Sequence, residues 1–213
     1  MKKTIIIITS IILTIVIFII PLISINPVKK ISGIDNYNKN YYIKEYGGDL
    51  DSNLSVFPNN KDNIISGTFS SSFKTNLFDS DGYILLTAKY QKEDFNNEIN
   101  RLKKLNITIY ETCKDNAKSY TNYIKYDDKL YKYKAYIAID GFDHTYEYAL
   151  INEKDLEIIY LYLSYPKINN SKYKKYLKKD LSLYSITNTI DMYSMYNHSF
   201  DNNKSFIEFS DCN

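Results

Sequence analysis

The residues of this chain able to act as acids, bases, nucleophiles or ligands fall into a few short groupings. The densest is Asp140, Asp143 and His144 in "IDGFDHTYEY". Two carboxylates beside an imidazole could share a divalent metal, or let His144 serve as a general base. The same Asp-Gly-Phe-Asp run is also what a tight turn requires, and one turn supplies no dependable third and fourth ligands. A turn is therefore the expected role. Asp79 with Asp81 in "DSDG", and Asp127 with Asp128, are carboxylate pairs in similar turn-like company. Calcium at "DSDG" would need oxygens at further fixed positions and a late glutamate, and these do not follow.

Nucleophilic devices are equally short of parts. His144 and His198 are the only histidines, and Cys113 and Cys212 the only cysteines. A Ser-His-Asp or Cys-His arrangement would have to recruit one of these, and Cys113 lies in a polar stretch without an obvious base. No G-x-S-x-G, H-E-x-x-H, P-loop or C-x-x-C pattern occurs. Whether Cys113 and Cys212 pair is left open. The expectation is a chain with no catalytic, cofactor-binding or metal-binding residue and no enzymatic activity. The alternative is a cell-envelope hydrolase using carboxylate acid/base chemistry.

The elements that carry these groupings follow from hydrophobic period. "GTFSSSFKTNLF" and "YILLTAKY" flank "DSDG" as a hairpin, with Gly82 taking a positive φ and Ile84, Leu86, Ala88 and Tyr90 sharing a face. Residues 92–105 read as a helix with Phe95, Ile99 and Leu102 as its apolar stripe. Glu93 and Asp94 in its first turn and Lys103 and Lys104 in its last suit the helix dipole. Glu98 and Arg101 form an i,i+3 pair on its solvated side, worth only tenths of a kcal/mol. "ITIY" suggests a short strand and residues 114–128 a polar connection. Three strands follow as an antiparallel meander with turns at "DGFD" and "NEKD". In the first, Tyr131, Tyr133, Ala135, Ile137 and Ile139 share a face. In the second, Tyr146, Tyr148 and Leu150 alternate with Thr145, Glu147 and Ala149. The third, "LEIIYLYLSY", is apolar on both faces, as a central strand should be.

Beyond Pro166, Tyr173, Tyr176, Leu177 and Leu181 fall at helical spacing among lysines, predicting an amphipathic basic helix. Lys172, Lys174, Lys175, Lys178 and Lys179 could meet anionic lipid headgroups or wall polymers, although a solvated face on a core-packed helix explains them as well. The fold class is thus α+β: a mainly antiparallel sheet, hairpin plus three-stranded meander, packed with one or two amphipathic helices.

Ahead of this body, residues 4–25 carry no charge, and their only polar side chains are hydroxyls. As a helix they would span roughly 33 Å, enough to cross the hydrocarbon core of a bilayer. The apolar run is longer than the core of a cleavable signal peptide, and Leu22 sits badly for a cleavage site. A retained transmembrane helix is expected, with secretion after cleavage as the alternative. Lys2 and Lys3 favour an N-terminus inside, which leaves the bulk of the chain extracytoplasmic. The organisation expected is a short cytoplasmic end over 1–3, a membrane helix over 4–25 in the lipid bilayer, and an irregular stalk over 26–63. A globular domain over 64–186 and a polar tail with a possible edge strand over 187–213 complete it.

Composition sets the remaining bounds. Tyr numbers 23 among 213 residues, Lys and Arg together 27, and Arg101 is the only arginine. The abundance of Asn, Lys, Ile and Tyr matches the drift of a very AT-rich genome, so the tyrosines need no binding site to explain them. A net charge of +2 gives no reason to expect a nucleic-acid partner. The pattern "YQKEDFNNEINRL" followed by "YKAYIAIDG" and "YEYALINEKDLEIIYLYLSYP" resembles small membrane-anchored proteins of unassigned function in low-GC Gram-positive bacteria. That resemblance implies anchoring and carries no activity or site residue. Together these readings point to a membrane-anchored extracytoplasmic domain acting as a non-catalytic binding or interaction module. The envelope hydrolase and a structural accessory protein without ligand are the alternatives.

Overall fold

A computed structural model describes residues 28–46, 54–75, 80–113, 116–140, 145–167 and 169–179. Its centre is an antiparallel sheet of seven strands. In chain order the elements are β1 (Val28–Ser32), α1 (Lys39–Tyr46), β2 (Ile64–Thr75), β3 (Ser80–Tyr90) and α2 (Lys92–Lys104). They continue as β4 (Asn106–Cys113), β5 (Asn116–Tyr123), β6 (Lys125–Asp127), β7 (Lys134–Asp140), β8 (Thr145–Asn152) and β9 (Glu157–Ser164). Across the sheet the order is β1-β2-β3-β9-β8-β7-β6, while β4 and β5 pair only with each other as a separate ribbon. With α1 and α2 this is a mainly antiparallel α+β architecture, as the sequence predicts.

Both predicted strand sets are present. β2 and β3 form the hairpin, and β7, β8 and β9 form the meander. β9 lies in the middle of the sheet, and its Ile158–Ser164 side chains are all buried. The sheet has cover on both faces. On one, Ile84, Leu86, Ala88, Tyr90, Ala149, Ile151, Ile158, Tyr160 and Tyr162 form a core with α1, α2 and the loop around Phe57. On the other, Tyr83, Leu85, Tyr148, Leu161 and Leu163 are covered by Tyr131, Tyr173 and Leu177. Alternate residues of β3 and β9 feed the two cores, which is why neither strand can spare a polar face.

Several details depart from the sequence reading. Gly82 is not at the hairpin turn: Asp81 pairs with Lys74 and Gly82 with Phe73, so the strand runs through them. The turn residues 76–79 lie outside the described set. Gly82 serves a packing need instead, because a Cβ there would sit 2.2 Å from Phe73 Cδ1. Among the described glycines, positive φ belongs to Gly33 at 95°. In β7 a register shift between Ile137 and Ile139 sends Ile139 to the opposite core from Ala135 and Ile137. A bulge has no signature in simple alternation.

The stretch expected as a stalk contributes to the fold. β1 pairs with β2, with Val28 opposite Lys74 and Ser32 opposite Ser70. α1 lays Tyr42 and Tyr46 on Phe73, the Tyr46 and Phe73 rings stacking at 4.3 Å. The polar connection at 114–128 is largely strand, supplying β5 and β6. The predicted basic helix is instead an irregular strap with one 3-10 turn at Lys174–Tyr176. Tyr173 fixes its start by accepting a hydrogen bond from Lys167 N at 2.8 Å and donating one to Lys167 O. That local closure competes with a helical path through the same residues. Residues 4–25 and the 187–213 tail lie outside the described residues, and no helix among the described ones is long and apolar enough to cross a membrane.

Candidate functional site

Residues 54–58, "LSVFP", have no hydrophobic period, yet Leu54, Val56 and Phe57 are fully buried. A buried loop must find partners for its backbone polar groups, and here side chains from three elements provide them. Glu147 on β8 accepts from Val56 N at 2.7 Å. Arg101 on α2 donates to Ser55 O at 3.2 Å and to Val56 O at 2.5 Å. Lys39 on α1 reaches Phe57 O at 3.3 Å, and the Tyr37 hydroxyl donates to Pro58 O.

The same guanidinium holds Glu98, with Nε donating to Oε2 at 2.7 Å and Nη2 to Oε1 at 2.6 Å. Tyr160 also donates to Glu98 Oε1, at 2.7 Å, and Tyr90 lies 2.8 Å from the Tyr160 oxygen. The pair expected on a solvated helix face is thus the joint between α2, the sheet and the loop. Sequence could show its i,i+3 spacing but not the loop that covers it. Burial drives the Tyr160 phenol well above its ordinary range, with Tyr90 and Glu98 adding to the effect. Tyr90 and Tyr37 are raised for the same first reason. Burial lowers the Lys39 ammonium, and Glu147 partly opposes it.

This cluster borders a cavity of about 240 Å³ lined in part by Asn60, Asn63, Tyr90, Asp94, Glu98 and Arg101. Carboxylate chemistry there would need a free carboxylate oxygen. Both Glu98 oxygens are engaged by internal donors, which leaves Asp94 as the one other carboxylate on the described lining and no open pair. Glu147 is fully buried behind the loop.

A second cavity, about 410 Å³, opens between the C-terminal half of α2 and the β6–β7 edge. Ile99, Ile124 and Ile151 give it an apolar floor, and Tyr126 and Tyr136 flank it with ring centroids 5.3 Å apart. At its rim Lys134 pairs with Glu153 at 2.7 Å, and Lys103 also lines it. The volume falls within the range of small-molecule sites, which combine apolar walls with a few polar groups. Ile99, expected in the core stripe, is only partly buried and lines this cavity.

Several of the residues weighed from sequence are not among those described. Asp143, His144, His198 and Cys212 lie outside the described residues, as does Asp79. Asp127 caps a loop, accepting from Lys129 N at 2.9 Å and Leu130 N at 2.7 Å. No group of three or more His, Cys, Asp or Glu suited to a metal occurs among the described residues. Of the five lysines read as a basic face, Lys172, Lys174, Lys175 and Lys179 are exposed, whereas Lys178 is buried and unavailable to a surface partner. The chain matches no family model, no curated protein and no solved structure.

Proposed function

We propose that this chain is a non-catalytic binding module, anchored in the cell membrane by residues 4–25 and displayed on the extracytoplasmic side. The observation carrying this reading is how the sheet's two ends are used. β1 begins at Val28, next to the end of the apolar run, on the sheet end that also holds Lys74, Gly82 and Ser164. The larger cavity lies at the opposite end and opposite edge, beside Lys134, Ile151 and Glu153. An eight-residue strand such as β9 separates those ends by about 26 Å. A chain leaving the bilayer at Val28 would hold its body close to the headgroups and its cavity outward, without a stalk.

Occupation of both Glu98 oxygens leaves Asp94 as the one open carboxylate on the described lining of that cavity, short of the pair that a carboxylate hydrolase uses, and this supports the non-catalytic part of the reading. Lys172, Lys174, Lys175 and Lys179 remain available to anionic headgroups as a secondary attachment, at about 1 kcal/mol each near a charged surface. Fractionation of cells expressing the full chain tests the anchor. The intact chain is expected in membranes and resistant to high salt and alkaline carbonate, because its attachment is apolar. A shortened species starting near Asn26 in the medium would overturn it.

A further inference from the structure

We propose that the cavity between α2 and the β6–β7 edge binds a small amphipathic carboxylate, its apolar or aromatic body on the isoleucine floor and its charge at Lys103. The inference rests on the binding-module reading and names that site's ligand class. The apolar part follows from Ile99, Ile124 and Ile151 beneath the Tyr126 and Tyr136 rings. Tyr126 is 46% exposed and lines the open cavity, so its ring face is available for a flat ligand to cover.

The charge follows from pairing at the rim. Lys134 and Glu153 satisfy each other at 2.7 Å. Among the described residues, Lys103 makes no ion pair, so the described lining carries one spare positive charge. A cationic ligand would meet that charge unfavourably. A phosphate dianion would find too few cations and no arginine fork, since Arg101 is committed to Glu98 and the loop. A monoanion on a flat body matches both the floor and the rim.

The test uses the full chain in nanodiscs of zwitterionic lipid, with empty discs as the blank. Ligand-observed NMR titrations compare indole-3-acetate with its neutral primary amide. The acid is expected to bind at least about fivefold tighter than the amide, a preference that shrinks in high salt. Lys103→Gln should abolish the preference by weakening binding of the acid far more than that of the amide. Tyr126→Ala should weaken both ligands about tenfold. Both substituted side chains are exposed, and thermal midpoints equal to that of the parent chain verify folding. Equal affinity for acid and amide, no binding above empty discs, or a preference that survives Lys103→Gln would overturn the proposal. Binding of the probes that ignores both variants would also overturn this site while leaving the binding-module reading intact. Loss of membrane retention, measured separately, would remove the anchor and not the site.

Discussion

Arg101 performs a task that the chain's many lysines cannot share. One planar group makes two bonds to Glu98 and reaches both Ser55 O and Val56 O, each in a different direction. An ammonium offers three donors at a single point and cannot span that set. In a chain whose other cations are all lysine, the single arginine stands where fork geometry is required. Arg101→Lys should therefore leave a buried loop carbonyl unpaired and cost about 2–3 kcal/mol. Urea midpoints read this directly, and an unchanged midpoint would mean that the loop is held without Arg101. The i,i+3 spacing of Glu98 and Arg101 was legible in sequence; their environment was not. Its cause lies in residues 54–58, more than forty positions earlier, whose burial no period announces.

At the scale of elements, legibility follows regularity. The β2–β3 hairpin, α2, β7 and β8 carry a repeat of two or of 3.6, β9 carries a continuous apolar run, and all are present. β1 was missed because four of its five residues are exposed, so edge pairing alone defines it. The basic strap carries helical spacing, but Tyr173 binds Lys167 through side chain and backbone and closes a local loop instead. Within β3, Gly82→Ala should cost about 1–3 kcal/mol by overpacking against Phe73, whose ring occupies the missing Cβ position. Combined with Phe73→Leu the loss should be less than additive, and strict additivity would show that the two do not share space. In α2, Leu102 is fully buried and Ile99 only partly. Leu102→Asp should unfold the domain, Ile99→Asp should weaken it, and Asn100→Asp should be nearly neutral by circular dichroism melts. Equal effects at Leu102 and Asn100 would mean that the helix is rotated from the face described.

At the scale of the whole described fold, the central sheet is lined with tyrosines, and this gives it a characteristic alkaline limit. Tyr37, Tyr90 and Tyr160 are raised above the ordinary phenol range chiefly by burial, and Tyr42 is pushed up to about 12. For each, the unfolded phenol loses its proton first as pH rises, so the folded state's advantage is complete below about pH 10 and is lost above it. Lys39 acts oppositely, since burial lowers it and its penalty is relieved as pH rises toward its unfolded value. Four phenols outweigh one ammonium. Urea midpoints should fall above about pH 10, with phenolate absorbance rising together with unfolding. Exposed rings such as Tyr126 ionise near pH 10 in either case, so the contradicting result is ionisation of the full complement of phenols near pH 10 without unfolding. The same molecular geometry puts Val28 at one end of the sheet and Lys154, in the 3-10 turn between β8 and β9, at the other. The most direct test of anchored display uses Lys154→Cys in a chain with Cys113→Ser and Cys212→Ser. A membrane-impermeant maleimide is applied to intact bacterial cells in which cell-wall access has been verified. The account predicts labelling without permeabilisation, on a chain that stays with the membrane pellet. Labelling only after permeabilisation, or recovery of the chain in the soluble fraction, would contradict it.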